Sequence, residues 1–376
     1  MAFRKKTVLF VTGTRAEWGL MRSTVKRLQA SKALQLRIVA TGMHTQHQFG
    51  YTLDEIKKTV HVDHVATIKE HDDQLTALSK EIEGIGAYLA KHPVDAVLVV
   101  GDRDEPFAAA TASVHLDIPV IHIAGGDHTG PTVDEYLRNA ITQFASLHLT
   151  QTVQSAKNVK AMGADPRRVV AVGAPGLDGI RKGALLAKSV LGKRLHLDQN
   201  RPWFLTVMHP TKLEPVSIKQ QIQSVTAALR KLNPDAEKIV LYPNSDDGCD
   251  VFIKEIKKIG SLPHVHIVQH LPREEYLSLM KHSAAFIGNS SSGLMEAGFL
   301  KTPFVHVGNR QQHREHGPNV HFVPYKAAAI VAGVQKVLSP AFQAKIARGK
   351  SPYKGGAVSQ RIVRAIEQFL QSAYHA

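Results

Sequence analysis

Residues 287–296 read Ile-Gly-Asn-Ser-Ser-Ser-Gly-Leu-Met-Glu, a short apolar strand followed by a turn of small polar residues and the start of a helix. Free backbone N–H groups at a helix start attract anions, and hydroxyl groups in the turn can donate to phosphate oxygens. Glu296, in the first turns of the helix, can hold a ribose diol. The segment predicts a phosphate site, although an N-capped helix with Ser290 or Ser291 as its cap explains the same residues.

The same strand–turn–helix pattern recurs on both sides of this segment, because short β-branched runs alternate with polar turns and longer helical patterns. One series of runs lies at residues 8–11, 37–40, 96–100, 120–123, 147–149 and 169–172. A second series lies at 204–208, 239–242, 266–268, 284–287, 304–307 and 321–323. Apolar runs that alternate with helices predict parallel sheets covered on both faces. We therefore expect an α/β protein of two Rossmann-like, doubly wound parallel-sheet domains.

The boundary between these domains is expected in the stretch from Pro175 to Arg201, which is glycine-bearing at first and basic later. We place the N-terminal domain, with the acid/base residues, at 1–185 and the C-terminal, nucleotide-binding domain at 186–356. The remaining segment, 357–376, carries an apolar stripe at helical spacing up to about Tyr374. It predicts a final helix that packs back on the N-terminal domain.

Composition describes a soluble globular protein of 376 residues, with 43% hydrophobic and 21% charged residues. The single cysteine, Cys249, excludes an internal disulfide framework and multi-thiolate metal sites. No stretch approaches the ~20 apolar residues of a membrane span. We expect a cytoplasmic protein without a membrane partner.

The net charge of +15 raises the possibility of nucleic-acid binding. The basic residues are scattered, however, and aromatic residues make up only 6% of the chain, which leaves no stacking platform for single strands. A phosphate-bearing small substrate explains the charge better. Although the chain has 21 histidines, no histidine pair at ligand spacing stands out with a third ligand, so no metal is assigned.

Polar residues that directly follow strands are the candidates for chemistry, because ligands bind outside the carboxyl ends of strands in such sheets. Arg15 follows the first strand at a helix start, where it can meet a diphosphate, or it can form a surface ion pair with Glu17. Asp102 and Arg103 follow the third predicted strand. Asp102 is the first candidate for acid/base work, and capping of the next helix is its alternative.

A glycine-rich loop follows the fourth predicted strand and ends in acids just before a helix that bears Arg138. Asp127, Asp134 and Glu135 are the acids of this loop, and paired carboxylates suit general acid/base catalysis. Helix capping and dipole complementation explain Asp134 and Glu135 equally well.

Three strands of the second half also end in polar residues. His209 and Asn244 follow two of them and can line a nucleotide cleft. Arg310 follows a third and offers a second cation for phosphate, with a solvated turn as the alternative.

Together, the segments 13–16, 101–103, 122–126, 287–296 and 308–311 strongly resemble the hydrolysing UDP-N-acetylglucosamine 2-epimerases of sialic-acid biosynthesis. The similarity runs in order through nearly the whole chain. It implies a GT-B-like pair of domains with the active site in the interdomain cleft, and a homodimer or homotetramer. It also implies conversion of UDP-N-acetylglucosamine and water, without a cofactor, into UDP and N-acetylmannosamine through a glycal.

The resemblance also implies roles for individual residues. Ser290, Ser291 and His209 contact the diphosphate, and Glu296 holds the ribose. Arg15, Arg103, Asn244 and Arg310 complete the nucleotide site. Asp102 and the pair of Asp134 and Glu135 match the family's acids.

The chain departs from the family at the glycine-rich loop. The family usually has His-Ile-Glu-Gly-Gly-Glu, whereas Ala124 stands at the first glutamate and Asp127 at the second. Asp127, Asp134 or Glu135 can take over the missing role, or the substrate can be another sugar, such as a 4-acetamido-6-deoxy sugar on UDP or a GDP-linked analogue. A GT-B glycosyltransferase and a non-catalytic nucleotide-sugar-binding homologue remain the alternatives.

Overall fold

The computed structural model describes residues 4–47, 50–70, 72–130, 132–178, 180, 185–244 and 246–372. The predicted end of the last helix at Tyr374 lies outside these ranges, as does part of the predicted boundary stretch, residues 179 and 181–184. Within the ranges described, no helix combines the length and the apolar character that a membrane crossing requires.

The chain folds into two compact units. Unit 1 comprises Met1–Asp127, Val133–Gly179 and Lys354–Ala376, and unit 2 comprises His128–Thr132 and Ile180–Tyr353. The short segment His128–Thr132 groups with unit 2 because Gly130 N–H donates to the carbonyl of Arg310 at 2.9 Å. A Cβ on Gly130 would lie 1.7 Å from the carbonyl oxygen of Asn309, so this approach requires glycine.

Unit 1 is built on a parallel sheet of seven strands. Its strands are β1 (Lys6–Thr12), β2 (Leu34–Ala40), β3 (His64–Val65), β4 (Ala96–Val100), β5 (Val120–Ile123), β6 (Ala145–Thr150) and β7 (Val169–Ala171). Its first six helices are α1 (Arg15–Gln29), α2 (Leu53–Lys57), α3 (Gln74–Lys91), α4 (Asp104–Val114), α5 (Val133–Phe144) and α6 (Val153–Ala161). Short 3₁₀ helices lie at Gly42–Thr45, Pro166–Arg168 and Pro175–Leu177.

Unit 2 is built on a parallel sheet of six strands. Its strands are β8 (Trp203–Val207), β9 (Glu237–Leu241), β10 (Val265–Val268), β11 (Ala285–Gly288), β12 (Phe304–Val307) and β13 (Val320–Val323). Its helices are α7 (Lys188–Leu195), α8 (Ile218–Lys231), α9 (Cys249–Lys257), α10 (Arg273–His282), α11 (Glu296–Leu300), α12 (Ala327–Leu338) and α13 (Pro340–Arg348), with a 3₁₀ helix at Ser291–Gly293.

The last helix, α14 (Val358–Ser372), belongs to unit 1. Its apolar stripe, which includes Ile362 and Ile366, lies in the same buried cluster as Val8 and Phe10 of β1. Asp178 holds the start of the helix by accepting from the backbone N–H groups of Val358, at 2.8 Å, and Ser359, at 3.0 Å. These hydrogen bonds favour the carboxylate, so the pKa of Asp178 is lowered although its partial burial acts to raise it.

Alternation along β1 explains why both faces of the unit 1 sheet are covered. Val8 and Phe10 point into the cluster that contains α1 and α14, whereas Leu9 and Val11 point into the opposite cluster with α3 and α4. Successive side chains of a strand point to opposite faces, so an uninterrupted apolar run buries both. The prediction of parallel sheets from such runs is therefore confirmed.

The two sheets share one topology. The strand order is β3-β2-β1-β4-β5-β6-β7 in unit 1 and β10-β9-β8-β11-β12-β13 in unit 2. In each sheet the winding reverses at one point, between β1 and β4 and between β8 and β11. Loops diverge at such a point and leave a crevice at the carboxyl ends of the strands, where ligands bind. All twelve predicted runs fall on strands. Among the strands of the described residues only β3 was missed, because two residues are too few for a pattern.

Candidate functional site

The reversal point of unit 1 brings Asp102 to the carboxyl end of β4. The strand is followed by Gly101, whose φ of +83° is a left-handed conformation that favours glycine. The carbonyl of Gly101 accepts from Nε2 of His122, on neighbouring β5, at 2.8 Å. Burial lowers the pKa of His122 to about 4, so its imidazole is neutral and works as a structural donor.

Arg138 on α5 is the centre of an acidic cluster in unit 1. Its side chain is fully buried. Its Nε donates to Oδ2 of Asp102 at 3.0 Å, and its Nη1 donates to Oε2 of Glu135 at 2.7 Å. The same Nη1 donates to the backbone carbonyl of Asp127 at 3.0 Å. One guanidinium therefore joins the end of β4, the glycine-rich loop and the start of α5, and it favours the ionised form of both carboxylates.

The carboxylate of Asp127 is turned toward α6. It is 4% exposed and accepts from Oγ of Ser155 at 2.5 Å. The backbone beside it is held as well, because Asn158 donates to the carbonyl of Gly126 at 2.8 Å. Gly126 has a φ of +80°, and a Cβ there would lie 2.3 Å from the carbonyl oxygen of Ser155. The loop is thus fixed against α6 by contacts that only glycine permits.

The other two predicted acids differ in their surroundings. Asp134 is half-buried in the first turn of α5, next to Glu135. Asp102 does not cap α4, because Arg103 occupies the N-cap position of that helix. The capping alternative for Asp102 is therefore wrong.

The two predicted arginines of unit 1 follow β1 and β4, the strands on either side of the reversal point. Nε of Arg15 lies 3.7 Å from Oε2 of Glu55, so the alternative of a pair with Glu17 is wrong. Nε of Arg103 lies 3.4 Å from Oε2 of Glu105. Both guanidinium groups are about one-third exposed or less, at 31% and 27%, and both can meet an anion at this edge.

Sequence reasoning missed a group of buried glutamates beside these arginines. Glu105 fills the space next to the first loop, since a Cβ on Gly13 would lie 2.2 Å from its Cγ. Burial, followed by the charge of Glu105, raises the pKa of Glu17 well above its usual value. The same two causes raise the pKa of Glu81 to about 9, and its Oε1 lies 3.1 Å from Oγ1 of Thr41. The carboxyl group of Glu81 is therefore held in the protonated form at neutral pH, and burial favours the protonated form of Glu17 as well.

The reversal point of unit 2 brings His209 and the serine turn together. Asn289, fully buried after β11, accepts from the backbone N–H of His209 at 2.8 Å and donates to its carbonyl at 2.8 Å. A Cβ on Gly288 would lie 1.9 Å from the carbonyl oxygen of Val207, so only glycine allows this approach of β8 and β11. Nδ1 of His209 accepts from the backbone N–H of Asn244 at 3.1 Å, which joins a third predicted residue to the group.

The serine turn has a different form from the one expected. Ser290 caps a three-residue 3₁₀ helix, Ser291–Gly293, and α11 begins only at Glu296 and has five residues. Such short helices add little macrodipole, so the expected dipole contribution is small. The turn still presents hydroxyl groups, and Oγ of Ser290 lies 2.9 Å from Oγ of Ser292 at its start.

Glu296 presents a carboxylate oxygen that has no partner in the part of the chain that the structure describes. The side chain is 4% exposed, and Oε1 accepts from Nη2 of Arg273 at 3.3 Å. Oε2 is buried and makes no hydrogen bond. Leaving a buried acceptor unsatisfied is unfavourable by about 1–3 kcal/mol, so this oxygen is suited to a donor supplied by a ligand.

Arg310 lies against the backbone of the serine turn. It is 8% exposed, and its Nη1 donates to the carbonyl of Asn289 at 3.4 Å. Its loop is fixed by Glu214, which accepts from the backbone N–H of Asn309 at 2.6 Å and from the hydroxyl of Tyr325 at 3.2 Å. The structure therefore places a buried cation beside the hydroxyl donors of unit 2.

The remaining residues that sequence reasoning missed are Arg138 as a binding centre, Ser155, Arg273, Tyr276 and Glu214. Among them only Arg138 gave a signal, because it lies three and four residues after Glu135 and Asp134, at helical contact spacing. The described residues contain no group of three or more His, Cys, Asp or Glu arranged to hold a metal ion.

Comparison with solved structures identifies the fold. The chain superposes with a TM-score of 0.80 on the UDP-GlcNAc 2-epimerase of Neisseria meningitidis bound to UDP-GlcNAc, covering 96% of this chain and 100% of that one at 21% identity. This likeness shows the two-domain GT-B-like fold. The UDP-N-acetylglucosamine 2-epimerase family matches residues 26–367, and the protein belongs to that family.

Two curated relatives support the assignment. The chain is 37% identical over 341 residues to the UDP-N,N′-diacetylbacillosamine 2-epimerase (hydrolyzing) of Legionella pneumophila, covering 89% of each chain. It is 32% identical over 372 residues to the polysialic acid biosynthesis protein P7 of Escherichia coli, covering 98% of this chain and 95% of that one. The resemblance drawn from the sequence is therefore confirmed.

Proposed function

We propose that this protein is a hydrolysing 2-epimerase of a UDP-linked N-acetylated amino sugar, which it converts with water into UDP and the free 2-epimer. The observation that carries the proposal is the buried Arg138, which holds Asp102 and Glu135 together at the carboxyl end of the unit 1 sheet. A reaction that moves a proton off and back onto one carbon needs two acid/base groups close together. Membership of the epimerase family supports this use of the pair.

The proposed reaction has two stages. A carboxylate takes the proton from C2 of the sugar, the electron pair forms the C1=C2 double bond of a glycal, and the C1–O bond breaks so that UDP leaves. The oxygen of water then adds to C1, and a proton reaches C2 from the opposite face. Cationic groups stabilise the diphosphate as its charge develops.

We assign the first proton transfer to Asp102 and the second to Glu135 with Asp134. The positive charge of Arg138 favours the ionised form of Asp102, which is the form that accepts the C2 proton. Glu135 and Asp134 take up the proton that the adding water loses and deliver a proton to C2, so the second stage leaves their protonation unchanged. Asp127 contacts Ser155 and faces α6, which supports a role in holding its loop. The carboxylate at the position of Ala124 in the family is thus replaced by acids on α5.

The nucleotide is assigned to polar residues that follow strands. Ser290, Ser291, His209 and Arg310 bind the diphosphate, Glu296 binds the ribose, and Asn244, Arg15 and Arg103 complete the set. The buried, unsatisfied Oε2 of Glu296 supports the ribose assignment, because a vicinal diol supplies the missing donor.

We further propose that the preferred sugar is doubly N-acetylated, as in UDP-N,N′-diacetylbacillosamine. The support is the 37% identity to the Legionella enzyme that carries this substrate in its name. UDP-N-acetylglucosamine is the competing substrate, since the family takes its name from it.

Reaction of both substrates in heavy water, followed by NMR, tests these proposals. We expect release of UDP and of a free 2-epimer with deuterium at C2, and a higher kcat/KM for the doubly acetylated substrate. Tight UDP binding without turnover of either sugar contradicts the epimerase. Equal or better turnover of UDP-N-acetylglucosamine contradicts only the substrate preference, and transfer of sugar to an acceptor indicates a glycosyltransferase.

A second candidate is a nucleotide-sugar-binding protein that has lost catalysis. The observation that favours it is Ala124, which has a φ of +72° and is buried where the family carries a glutamate. Gain of turnover in Ala124→Glu, from an inactive parent, supports this candidate.

A further inference from the structure

The hydroxyl groups of Tyr276 and Ser292, which have no proposed role so far, form a chain in unit 2 that leads to the hydroxyl of Ser290. The hydroxyl of Tyr276 on α10 lies 2.6 Å from Oγ of Ser292. Oγ of Ser292 lies 2.9 Å from Oγ of Ser290. These distances are those of O–H···O hydrogen bonds, so the three groups are linked in sequence from α10 to the serine turn.

The direction of this chain follows from counting hydrogens. Each hydroxyl has one hydrogen to donate and two lone pairs to accept. Oγ of Ser290 already accepts from the backbone N–H of Ser292 at 3.4 Å. If Ser292 also donates its hydroxyl hydrogen to Ser290, both lone pairs of Ser290 are used, and its own hydrogen is available for an acceptor outside the chain.

Tyr276 lies at the other end of this chain of hydroxyl groups and is its first donor. Burial raises the pKa of its phenol, with the charge of Glu296 adding to the effect, so the group stays a neutral donor at physiological pH. Glu296 does not take the phenol's hydrogen, because its Oε1 is paired with Arg273 and its Oε2 makes no hydrogen bond in the described structure. The hydrogen of Tyr276 is then donated to Ser292, and that of Ser292 to Ser290.

We propose that Tyr276 and Ser292 are positioning residues that turn the hydroxyl of Ser290 outward to donate to a phosphate oxygen of the nucleotide. The inference rests on the proposed function, which puts the diphosphate at Ser290. An anion accepts hydrogen bonds and donates none, so it selects the orientation in which all three hydrogens point toward it. Hydrogen bonds aligned in one direction polarise and strengthen one another.

The test is a double-mutant cycle on UDP affinity in the full-length protein, measured by titration calorimetry. Tyr276→Phe removes only the hydroxyl, and we expect the Kd for UDP to rise about 3–10-fold, the range of one net hydrogen bond. We call the hydrogen-bonded chain of Tyr276, Ser292 and Ser290 the relay. In a Ser290→Ala background, Tyr276→Phe should have no further effect on the Kd, because the hydroxyl that the relay orients is absent. Ser292→Ala should raise the Kd for UDP as much as Tyr276→Phe does. The double variant should raise the Kd no more than either single variant.

Tyr353→Phe is the matched control, since the hydroxyl of Tyr353 in the same unit donates to the carbonyl of Glu315 at 3.0 Å. It should leave UDP affinity unchanged. Additive effects of Tyr276→Phe and Ser290→Ala overturn the relay, as does a Tyr276→Phe protein with wild-type affinity. A wild-type protein that binds no UDP overturns the proposed function and with it the inference, whereas a protein that binds UDP but shows additive effects overturns the inference alone.

Discussion

Nε of Arg138 lies 3.0 Å from Oδ2 of Asp102, across 36 positions of sequence, and joins α5 to the end of β4. The guanidinium is fully buried, whereas 22% of the Asp102 side chain is exposed. The cation is therefore held inside the unit while the carboxylate reaches its surface. Such an arrangement fixes the orientation of an acid/base group without covering it.

Arg138→Lys tests this arrangement. A lysine keeps the charge but lacks the planar guanidinium that donates to both Asp102 and Glu135. One of the two carboxylates therefore loses its partner. We expect kcat to fall at least about 10²-fold and stability to drop by about 1–3 kcal/mol. Turnover and urea unfolding measure the two effects. Arg194→Lys, in the exposed pair with Glu275, is the control and should change stability by less than about 0.5 kcal/mol.

Asp102→Asn separates chemistry from binding. The amide keeps the size of the side chain but cannot accept the C2 proton, so kcat should fall about 10²–10⁴-fold with little change in UDP affinity. Asp104→Asn is the control. Asp104 lies two residues further on, and its carboxylate accepts from the side chain of Gln74 at 2.7 Å. Asp127→Asn should have the smaller effect, since an amide oxygen can still accept from Ser155. If Asp127→Asn lowers kcat as much as Asp102→Asn does, Asp127 acts as an acid/base residue.

Glu296→Gln tests the ribose assignment. The unsatisfied Oε2 makes a charged hydrogen bond to a ribose hydroxyl in the proposed complex, and such bonds contribute about 1.5–3 kcal/mol. The wild-type protein should therefore prefer UDP over 2′-deoxy-UDP by about 10-fold or more, and the variant should lose most of this preference. Calorimetric Kd values for both nucleotides measure it. Glu274→Gln, exposed on α10, should preserve the preference.

Unfolding stability should depend on pH through the buried glutamates. The pKa of Glu81 is raised to about 9, so between its ordinary value and pH 9 the folded state binds a proton that the unfolded state has lost. The contribution of Glu81 to the free energy of unfolding is therefore fully present below the pKa of Glu81 in the unfolded state. It decreases as the pH rises above that value, by up to about 1.4 kcal/mol per pH unit. The window from pH 7 to 9 is the one to measure, because the folded state still holds this proton there and the unfolded state has lost it.

Glu81→Gln is the variant for that measurement. A neutral amide replaces the protonated carboxyl, so the variant should be more stable than the parent at pH 8 and should show a flatter pH dependence in urea unfolding. Glu83→Gln, exposed on the same helix, provides the control and should follow the parent. A parallel pH dependence of Glu81→Gln and the parent contradicts a proton held on Glu81.

The sheet was predictable because its information is local. Residues 96–100 are an uninterrupted apolar run, and residues 120–123 are apolar except for His122. These two runs coincide with β4 and β5 residue for residue. A central parallel strand must be apolar on both faces, whatever it packs against. The turn at Gly288 was also visible, but the helix after it was expected too early, since α11 begins only at Glu296.

The sequence by itself determined the two wound sheets and the set of polar residues that follow their strands, since strand patterns and strand ends are short-range features. Only the tertiary structure decided how those residues are used: Arg138 between Asp102 and Glu135, Asp127 on Ser155, and Glu296 with one oxygen paired and one unsatisfied. It also decided the charge state of Glu81. Ion pairing and desolvation depend on distances and burial that arise between residues far apart in the chain, so no local pattern encodes them.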